Sequence, residues 1–304
     1  MRSSANWISR NRSWVSRCAV AGVLALAAAA LEAQTPPPFV QGLLWRIAKA
    51  GVPDSFAFGT IHVADPRVTI AQPVGDALAR SRTLALELGS QVASDEVLEL
   101  EQLQDGQRLQ PLIGEDTFKR VRIELAAQDV PERLIERMKP WAAMIKVARA
   151  QPRSSEPGLD QQLLVAAHAR GVKVMALEWV EEQIAAFDAV PLETQVALLK
   201  HALADHAALE AGLDATIDAW LRGDLARLAK LSAGSHDRFS EMGRHYLQLT
   251  KHIIHDRNVL MHHRLVMPLR GGRVFVAVGA LHLHGEKGLL AMIARDGYRV
   301  TRLY

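Results

Sequence analysis

The chain has 304 residues, of which 49% are apolar and 23% charged, with a net charge of +3. That is enough apolar material for one large domain or two small ones, and it excludes a disordered, self-repelling polymer. The only cysteine, Cys18, falls in the first 33 residues, so the rest of the chain has no disulfide and no thiolate chemistry.

Residues 1–33 read as a secretory signal peptide. Arg2, Arg10, Arg12 and Arg17 form a positive region without an acid, and Cys18 to Leu31 is an uncharged run of Ala, Val and Leu. A bilayer span needs roughly 20 apolar residues, so this run is short for a permanent anchor. Cleavage is expected near Ala33, and membrane contact is expected only through this segment if it stays uncleaved. Arg17 stands where a lipoprotein signal has a small residue, which argues against lipidation of Cys18. The expectation is an exported protein of the periplasm or cell envelope, with a single domain over residues 34–304. Removing the leader takes away four Arg and one Glu, which leaves acids and bases balanced. No basic stripe remains for nucleic acid, and none is expected as a partner.

After the stiff Pro36–Pro38 linker, Leu43 to Ala48 reads as a strand, and Gly51-Val52-Pro53-Asp54 as a tight turn. A second strand contains Ser55-Phe56-Ala57-Phe58-Gly59-Thr60-Ile61 and closes on His62. Val74 to Arg82 is a short helix, and Thr83 to Leu88 returns as a strand. Residues 91 to 270 are mainly helical, with helices expected over Ser94–Gln104, Glu115–Gln128, Pro131–Ala150, Leu159–Arg170, Leu192–Leu209, Leu213–Leu221, Asp224–Leu231 and His236–Leu265. One short strand, Lys173 to Leu177, interrupts them. Arg273 to His282 is then a strand, Gly285 to Ala294 a helix and Tyr298 to Leu303 a last strand. A strand ending in Gly-x-x-His, a short helix and a second strand thus occur twice, at opposite ends of the chain. The expected fold is α/β (α+β): a mixed sheet completed by both ends of the chain, with a large helical insertion over about 91–270.

The two histidines that close these units, His62 and His282, would lie at neighbouring strand ends if the chain termini meet. Neutral imidazole is the commonest metal ligand and the usual acid/base group near neutral pH; two ordinary buried or loop histidines are the plainer alternative. Glu87 sits in Leu-Ala-Leu-Glu-Leu. A buried carboxylate there must be protonated, paired or ligating, unless it alternates out to solvent. With the two histidines it makes a sensible set for a divalent metal. Glu178 ends the short middle strand, as an outer acid behind such a site or as a helix N-terminal acid. Asp160, after Pro157-Gly158-Leu159, suits a helix N-terminus and a structural role, with a place behind the metal site beside Glu178 as the alternative. Arg257 and Asn258 lie on the long helix before the last unit, where an arginine could anchor a carboxylate or an oxyanion. His245, His252, His255, His262 and His263 can share one face of that helix, read as solvated rather than as a second metal patch. No glycine-rich phosphate loop, serine nucleophile elbow or His-Glu-x-x-His is present.

Leu44-Trp45-Arg46-Ile47, Phe58-Gly59-Thr60-Ile61-His62-Val63-Ala64-Asp65-Pro66-Arg67 and Leu86-Glu87-Leu88 resemble the opening of TraB/PrgY/GumN proteins. Phe275 to Leu290, with Gly279-Ala280-Leu281-His282, and Gly297-Tyr298-x-Val300 resemble their ending. Lys139-Pro140-Trp141, Gly158-Leu159-Asp160, Leu177-Glu178, Glu181-Glu182-Gln183 and Arg257-Asn258 follow in the expected order between them. The resemblance implies a relationship to the Tiki metalloproteases and, more remotely, to the ChaN-like and erythromycin-esterase-like folds. It implies manganese or cobalt as the metal, with zinc also possible from the donor types. It assigns essential roles to His62, His282 and Glu87, and gives Arg257 and Asn258 a place in the site. One departure stands out: Trp179 follows Glu178 where relatives often carry threonine.

The leading expectation is an exported metal-dependent hydrolase acting on peptides or proteins. His62 and His282 would bind the metal, Glu87 would be ligand or general base, and Arg257 and Asn258 would hold the substrate or its oxyanion. Two alternatives stand beside it: a non-catalytic envelope protein that captures a peptide signal, haem or a metal in the same cleft, and an envelope scaffold that meets a partner through the helices.

Overall fold

The computed structural model describes residues 38–304, except 90–93, 150–152, 156, 205 and 234–235. The leader expected over residues 1–33 lies outside the described residues. One mixed sheet contains β1 (Leu44–Lys49), β2 (Val52–Thr60), β3 (Thr83–Leu86), β4 (Lys173–Ala176), β5 (Val274–Gly279) and β6 (Arg299–Arg302). The strand order is β4-β3-β5-β2-β1-β6. β2, β3, β4 and β5 are mutually parallel, and β1 runs antiparallel to both β2 and β6. The two ends of the chain therefore meet at the centre of the sheet, with Thr60 opposite Gly279.

The apolar pattern accounts for this placement. Ser55–Thr60 and Val274–Val278 are buried along their whole length, as parallel strands are when both faces are covered. β6 carries exposed Arg299, Thr301 and Arg302, which suit a sheet edge and discourage further pairing. The two strand–GxxH–helix–strand units follow the expected chain order, yet neither pairs with itself. β5 lies between β2 and β3, and β2 and β1 lie between β5 and β6. The units interlock, so neither forms its part of the sheet alone.

The strands stop before the chemical residues. β2 ends at Thr60, two residues before His62, and β5 ends at Gly279, where a 3-10 turn, Ala280–His282, begins. Glu87 is the first residue past β3. The helical stretch divides between two cores. Leu159 and Leu163, Ile217 and Trp220, and Met261 and Leu265 join the core on the sheet. Leu109, Val121, Met138, Trp141 and Leu199 form a second core of their own.

Two expected helices are divided. Pro131–Ala150 is Glu132–Ile135 followed by Pro140–Ala148, because Pro140 lacks the N–H to continue a helix and suits its first turn. His236–Leu265 is Glu241–Thr250, a π-helical turn Lys251–Asp256, and Arg257–Gly271. The wider π turn changes the angular step, so the five histidines do not form one solvated face. His245 is buried, its Nδ1 2.8 Å from Thr194 Oγ1. His262 Nε2 lies 2.9 Å from Asp296 Oδ2.

Gly59 is a packing glycine. A Cβ there would stand 2.9 Å from the Ala280 Cα and 3.3 Å from Leu283 Cδ1. Trp220 Nε1 donates to the Gly59 carbonyl at 3.0 Å, which ties a helix to the same point. Gly59→Ala is expected to cost about 1–3 kcal/mol, because backbone must move to admit the methyl. Urea unfolding checks this, and an unchanged midpoint would contradict it.

Asp65 organises the loop after His62. Its carboxylate accepts from Arg67 N at 2.9 Å, Nε at 2.8 Å and Nη2 at 2.9 Å. Arg67 Nη2 also donates to Asp214 at 2.6 Å, linking the loop to helix His206–Leu221. The Arg67 guanidinium beside Asp65 holds its carboxyl down to about 2, against 3.8 ordinarily. The folded value is the lower one, so the unfolded chain binds more protons in that window. The stabilisation is full above the ordinary aspartate value and is lost as pH falls toward about 2. The gap in urea midpoint between the wild type and Asp65→Asn is therefore expected to be constant near neutrality and to narrow in acid.

Candidate functional site

Glu87, His62 and His282 converge at the ends of β3, β2 and β5. A methyl carbon built on Gly279 would stand 3.4 Å from Glu87 Oε1, 3.6 Å from His282 Cδ2 and 3.7 Å from His62 Nε2. Three groups that are remote in the chain thus face one small volume.

His282 is 3% exposed, and its Nδ1 lies 2.7 Å from Asn258 Oδ1. The amide orientation follows from its other end: Asn258 Nδ2 donates to the Lys287 carbonyl at 2.9 Å, so Oδ1 must accept from the ring. Nδ1 then carries the proton, and Nε2 keeps its lone pair, 3.8 Å from Glu87 Oε1. Burial pushes His282 down to about 4, with the Glu87 charge opposing, so the ring is neutral near pH 7.

His62 is built in parallel. Its Nδ1 stands 3.2 Å from Asp160 Oδ2, while Thr60 Oγ1 donates to the other Asp160 oxygen at 3.1 Å. Asp160 sits in the first turn of helix Leu159–His168, so the acid expected there as a structural residue also orients an imidazole. The hydrogen bond to Asp160 pushes His62 up to about 9, against burial. Its side chain is 68% exposed, so water moderates that pull. In both rings an oxygen holds Nδ1 and leaves Nε2 toward the cleft, the arrangement that orients histidine for metal ligation or proton transfer.

Glu87 is held on both oxygens. Oε1 accepts from the Gly279 N–H at 2.7 Å, and Oε2 from Arg257 Nη2 at 2.6 Å. Gln183 Nε2 adds a longer contact at 3.4 Å. Burial would raise this carboxyl, but His282, which is protonated only in the acid range where Glu87 titrates, together with Arg257, His62 and the Gly279 N–H, outweighs it and holds it well below the usual range.

Arg257 borders the cavity at the site, but most of its donors are engaged inside the protein, and Asn258 is buried behind His282. Arg257 Nε donates to Glu178 Oε1 at 3.0 Å, Nη2 to Glu178 Oε2 at 2.6 Å, and Nη1 to the Ile253 carbonyl at 3.0 Å. With the bond to Glu87, most of the guanidinium fork is committed inside the protein. Asn258 is wholly buried, with both ends of its amide used. Arg257 positions Glu87, and Asn258 positions His282. Glu178, buried to 1% exposure, stands behind Arg257 and does not cap a helix. Burial pushes it up, against the pull of Arg257. The departure at Trp179 leaves this pair intact, because that side chain is 64% exposed.

Three participants escaped the sequence reading. Gly279 and Gln183 stand in motifs that the sequence displays, but neither motif signals a backbone N–H or an amide that holds Glu87. Arg264, seven residues after Arg257 on the same helix, donates to the Leu177 carbonyl at 2.7 Å and to Glu182 at 2.6 Å, fixing the segment around Glu178. Its spacing from Arg257 was the available clue.

Among the described residues no three His, Asp or Glu groups already stand in a ligating arrangement. The donor chemistry nevertheless fits a divalent ion: the His282 Nε2 lone pair, the His62 Nε2 once an ion displaces its proton, and a carboxylate border one volume, and the exposed His62 has room to adjust. Parallel strands within a mixed sheet, with reactive groups gathered at their adjacent ends, define an α/β protein with a strand-end site. The family model for TraB/PrgY/gumN matches residues 43–302, and the chain belongs to that family. No curated protein and no solved structure matches it.

Proposed function

We propose that this protein is an exported metal-dependent hydrolase that acts on peptides or proteins at the His62–Glu87–His282 cluster. The observation that carries the reading is the pairing of each Nδ1 with an oxygen, Asp160 for His62 and Asn258 for His282, which turns both Nε2 atoms to one carboxylate. The export part of the reading rests on the N-terminal leader pattern alone.

His62 Nε2, His282 Nε2 and Glu87 would hold the ion. A manganese, cobalt or zinc ion bound there supplies Lewis acidity and lowers the pKa of a water. Arg257 keeps Glu87 ionised and fixes its plane. A carboxylate held so far below neutrality is a poor general base, which favours Glu87 as a ligand. Asn258 holds His282 in the tautomer that leaves Nε2 open. Asp160 holds the Nδ1 of His62 and balances the charge of that ring while it is protonated; a bound ion would displace the Nε2 proton.

His62→Ala and His282→Ala are each expected to lose bound metal and peptide cleavage together. Metal analysis and a cleavage assay on the purified proteins read this, with circular dichroism to verify folding. His282→Ala also leaves the buried Asn258 oxygen without its partner, at a cost of about 1–3 kcal/mol; His62→Ala has no such burden. Undiminished turnover in both variants would refute the reading.

A further inference from the structure

His201 and His236 have no part in the strand-end cluster, yet they line the cavity of about 730 Å³ onto which His62, Glu87 and His282 open. His201 lies in the last turn of helix Leu192–Ala204, and His236 in the segment between helices Leu225–Ser232 and Glu241–Thr250. Their Nε2 atoms stand 3.0 Å apart. The ring centroids are 4.8 Å apart and the planes cross at 70°. That is closer than two rings aimed head-on would stand at this nitrogen separation, so the contact is not the straight N–H···N bond that hydrogen bonding prefers. Two imidazole nitrogens each about 2.1 Å from one ion, at an angle between a right angle and the tetrahedral one, stand roughly 3.0–3.4 Å apart. The pair therefore has the bite of two neighbouring metal ligands. Tyr246 sets both rings: it stacks on His236 at 5.7 Å and meets His201 edge-on at 6.1 Å. His236 is exposed and His201 partly so, which leaves water to complete a coordination shell.

We propose that His201 and His236 form a second metal site, bidentate and separate from the strand-end cluster, for a borderline divalent ion: zinc, copper or nickel. Among the described residues no carboxylate joins the pair to make a group of three. Imidazole donors alone favour these ions over manganese or magnesium, which take oxygen ligands. Without an ion, one Nε2 donates its proton to the other; with one, both rings carry their protons on Nδ1 and both Nε2 lone pairs go to the metal. A bound ion ties the end of helix Leu192–Ala204 to the segment that enters Glu241–Thr250. Both helices contribute wall to the cavity, through His201 and Tyr246, so the ion fastens one side of it.

Calorimetric titration with zinc chloride tests the site on the full chain carrying His62→Ala, which takes a donor from the strand-end cluster and leaves this pair intact. This parent is expected to bind zinc, and to bind it more tightly than manganese. Adding His201→Ala or His236→Ala should each weaken zinc binding at least tenfold. Adding His252→Ala, whose ring meets Asp256 at 3.0 Å, should leave it unchanged. Hydrogen exchange gives a second readout: zinc should slow exchange in helices Leu192–Ala204 and Glu241–Thr250 of the parent, and in neither helix once His201 or His236 is replaced. Electron spin resonance of the parent loaded with copper(II) should show two coupled imidazole nitrogens, and it decides alone if a variant fails to fold. No zinc binding, tighter binding of manganese, binding that survives the loss of either ring, an equal loss in His252→Ala, or fewer than two coupled nitrogens overturns the proposal. None of these measurements uses a substrate, so they stand apart from the hydrolase reading, whose failure would leave the second site untouched.

Discussion

Arg257→Ala is expected to destabilise the protein by about 3–5 kcal/mol, the cost of leaving buried charge without its partner. The removed guanidinium serves two acids at once, Glu178 at 2.6 Å and Glu87 at 2.6 Å. Their side chains are 0% and 12% exposed, so water cannot readily take its place. One or both carboxyls must then take up a proton or drag water inward, and the strand ends that carry the site loosen. Arg257→Lys should recover only part of the loss, because an ammonium is a point charge and cannot bridge two carboxylates with a planar fork. Adding Glu178→Gln to Arg257→Ala should recover some stability, since the second change removes the orphaned charge. That non-additivity is the signature of direct coupling. Urea unfolding of the wild type, Arg257→Ala, Arg257→Lys, Glu178→Gln and the double variant measures it, and a loss below about 1 kcal/mol for Arg257→Ala would mean that these charges are solvated.

Gly279→Ala is expected to do the opposite: keep the fold and remove the function. The backbone at Gly279, with φ −49° and ψ 135°, is open to any L-residue. The nearest atoms to the new methyl would be at 3.4, 3.6 and 3.7 Å, ordinary contact distances. Alanine also restricts the unfolded chain, so stability should change by less than about 1 kcal/mol in either direction. Those nearest atoms, however, belong to Glu87, His282 and His62. The methyl takes the volume on which all three converge and keeps an ion or a reacting group from entering. A loss of about a hundredfold or more in turnover is expected, as for misplacement of a reactive group by about an ångström. Full activity in Gly279→Ala would place the chemistry elsewhere. The contrast with Gly59→Ala is instructive, because the same residue type in the same motif serves packing in one copy and access in the other. The register explains it: Gly59 faces Val278, one residue short of Gly279, so the two motifs meet with a stagger and their glycines see different neighbours.

The convergence of the site's side chains was legible because polar residues stand in or beside apolar runs. His62 and His282 each close an expected strand, whereas Glu87 stood out as an acid inside one, and the structure ends that strand just before it; strand ends are where parallel strands expose reactive groups. The supporting roles were not legible. Arg257 and Asn258 read as substrate contacts because a sequence records that a polar residue is present, not whether its donors are already used. Asp160 read as a helix-end acid or as an acid behind the site, and its partner stayed hidden because its second oxygen finds His62 only across the fold. The π turn Lys251–Asp256 broke the face on which five histidines had been aligned, and no residue in it advertises the wider turn.

Composition and periodicity by themselves determined the class of the fold, the strands and the three groups at their ends, since those follow from local hydrophobic pattern. The tertiary structure alone decided that β5 slots between β2 and β3, and with it which oxygen holds which imidazole. The reason is physical: burial pattern says that a strand is covered on both faces, but the choice of neighbour and the pairing of buried polar atoms depend on contacts between segments more than a hundred residues apart.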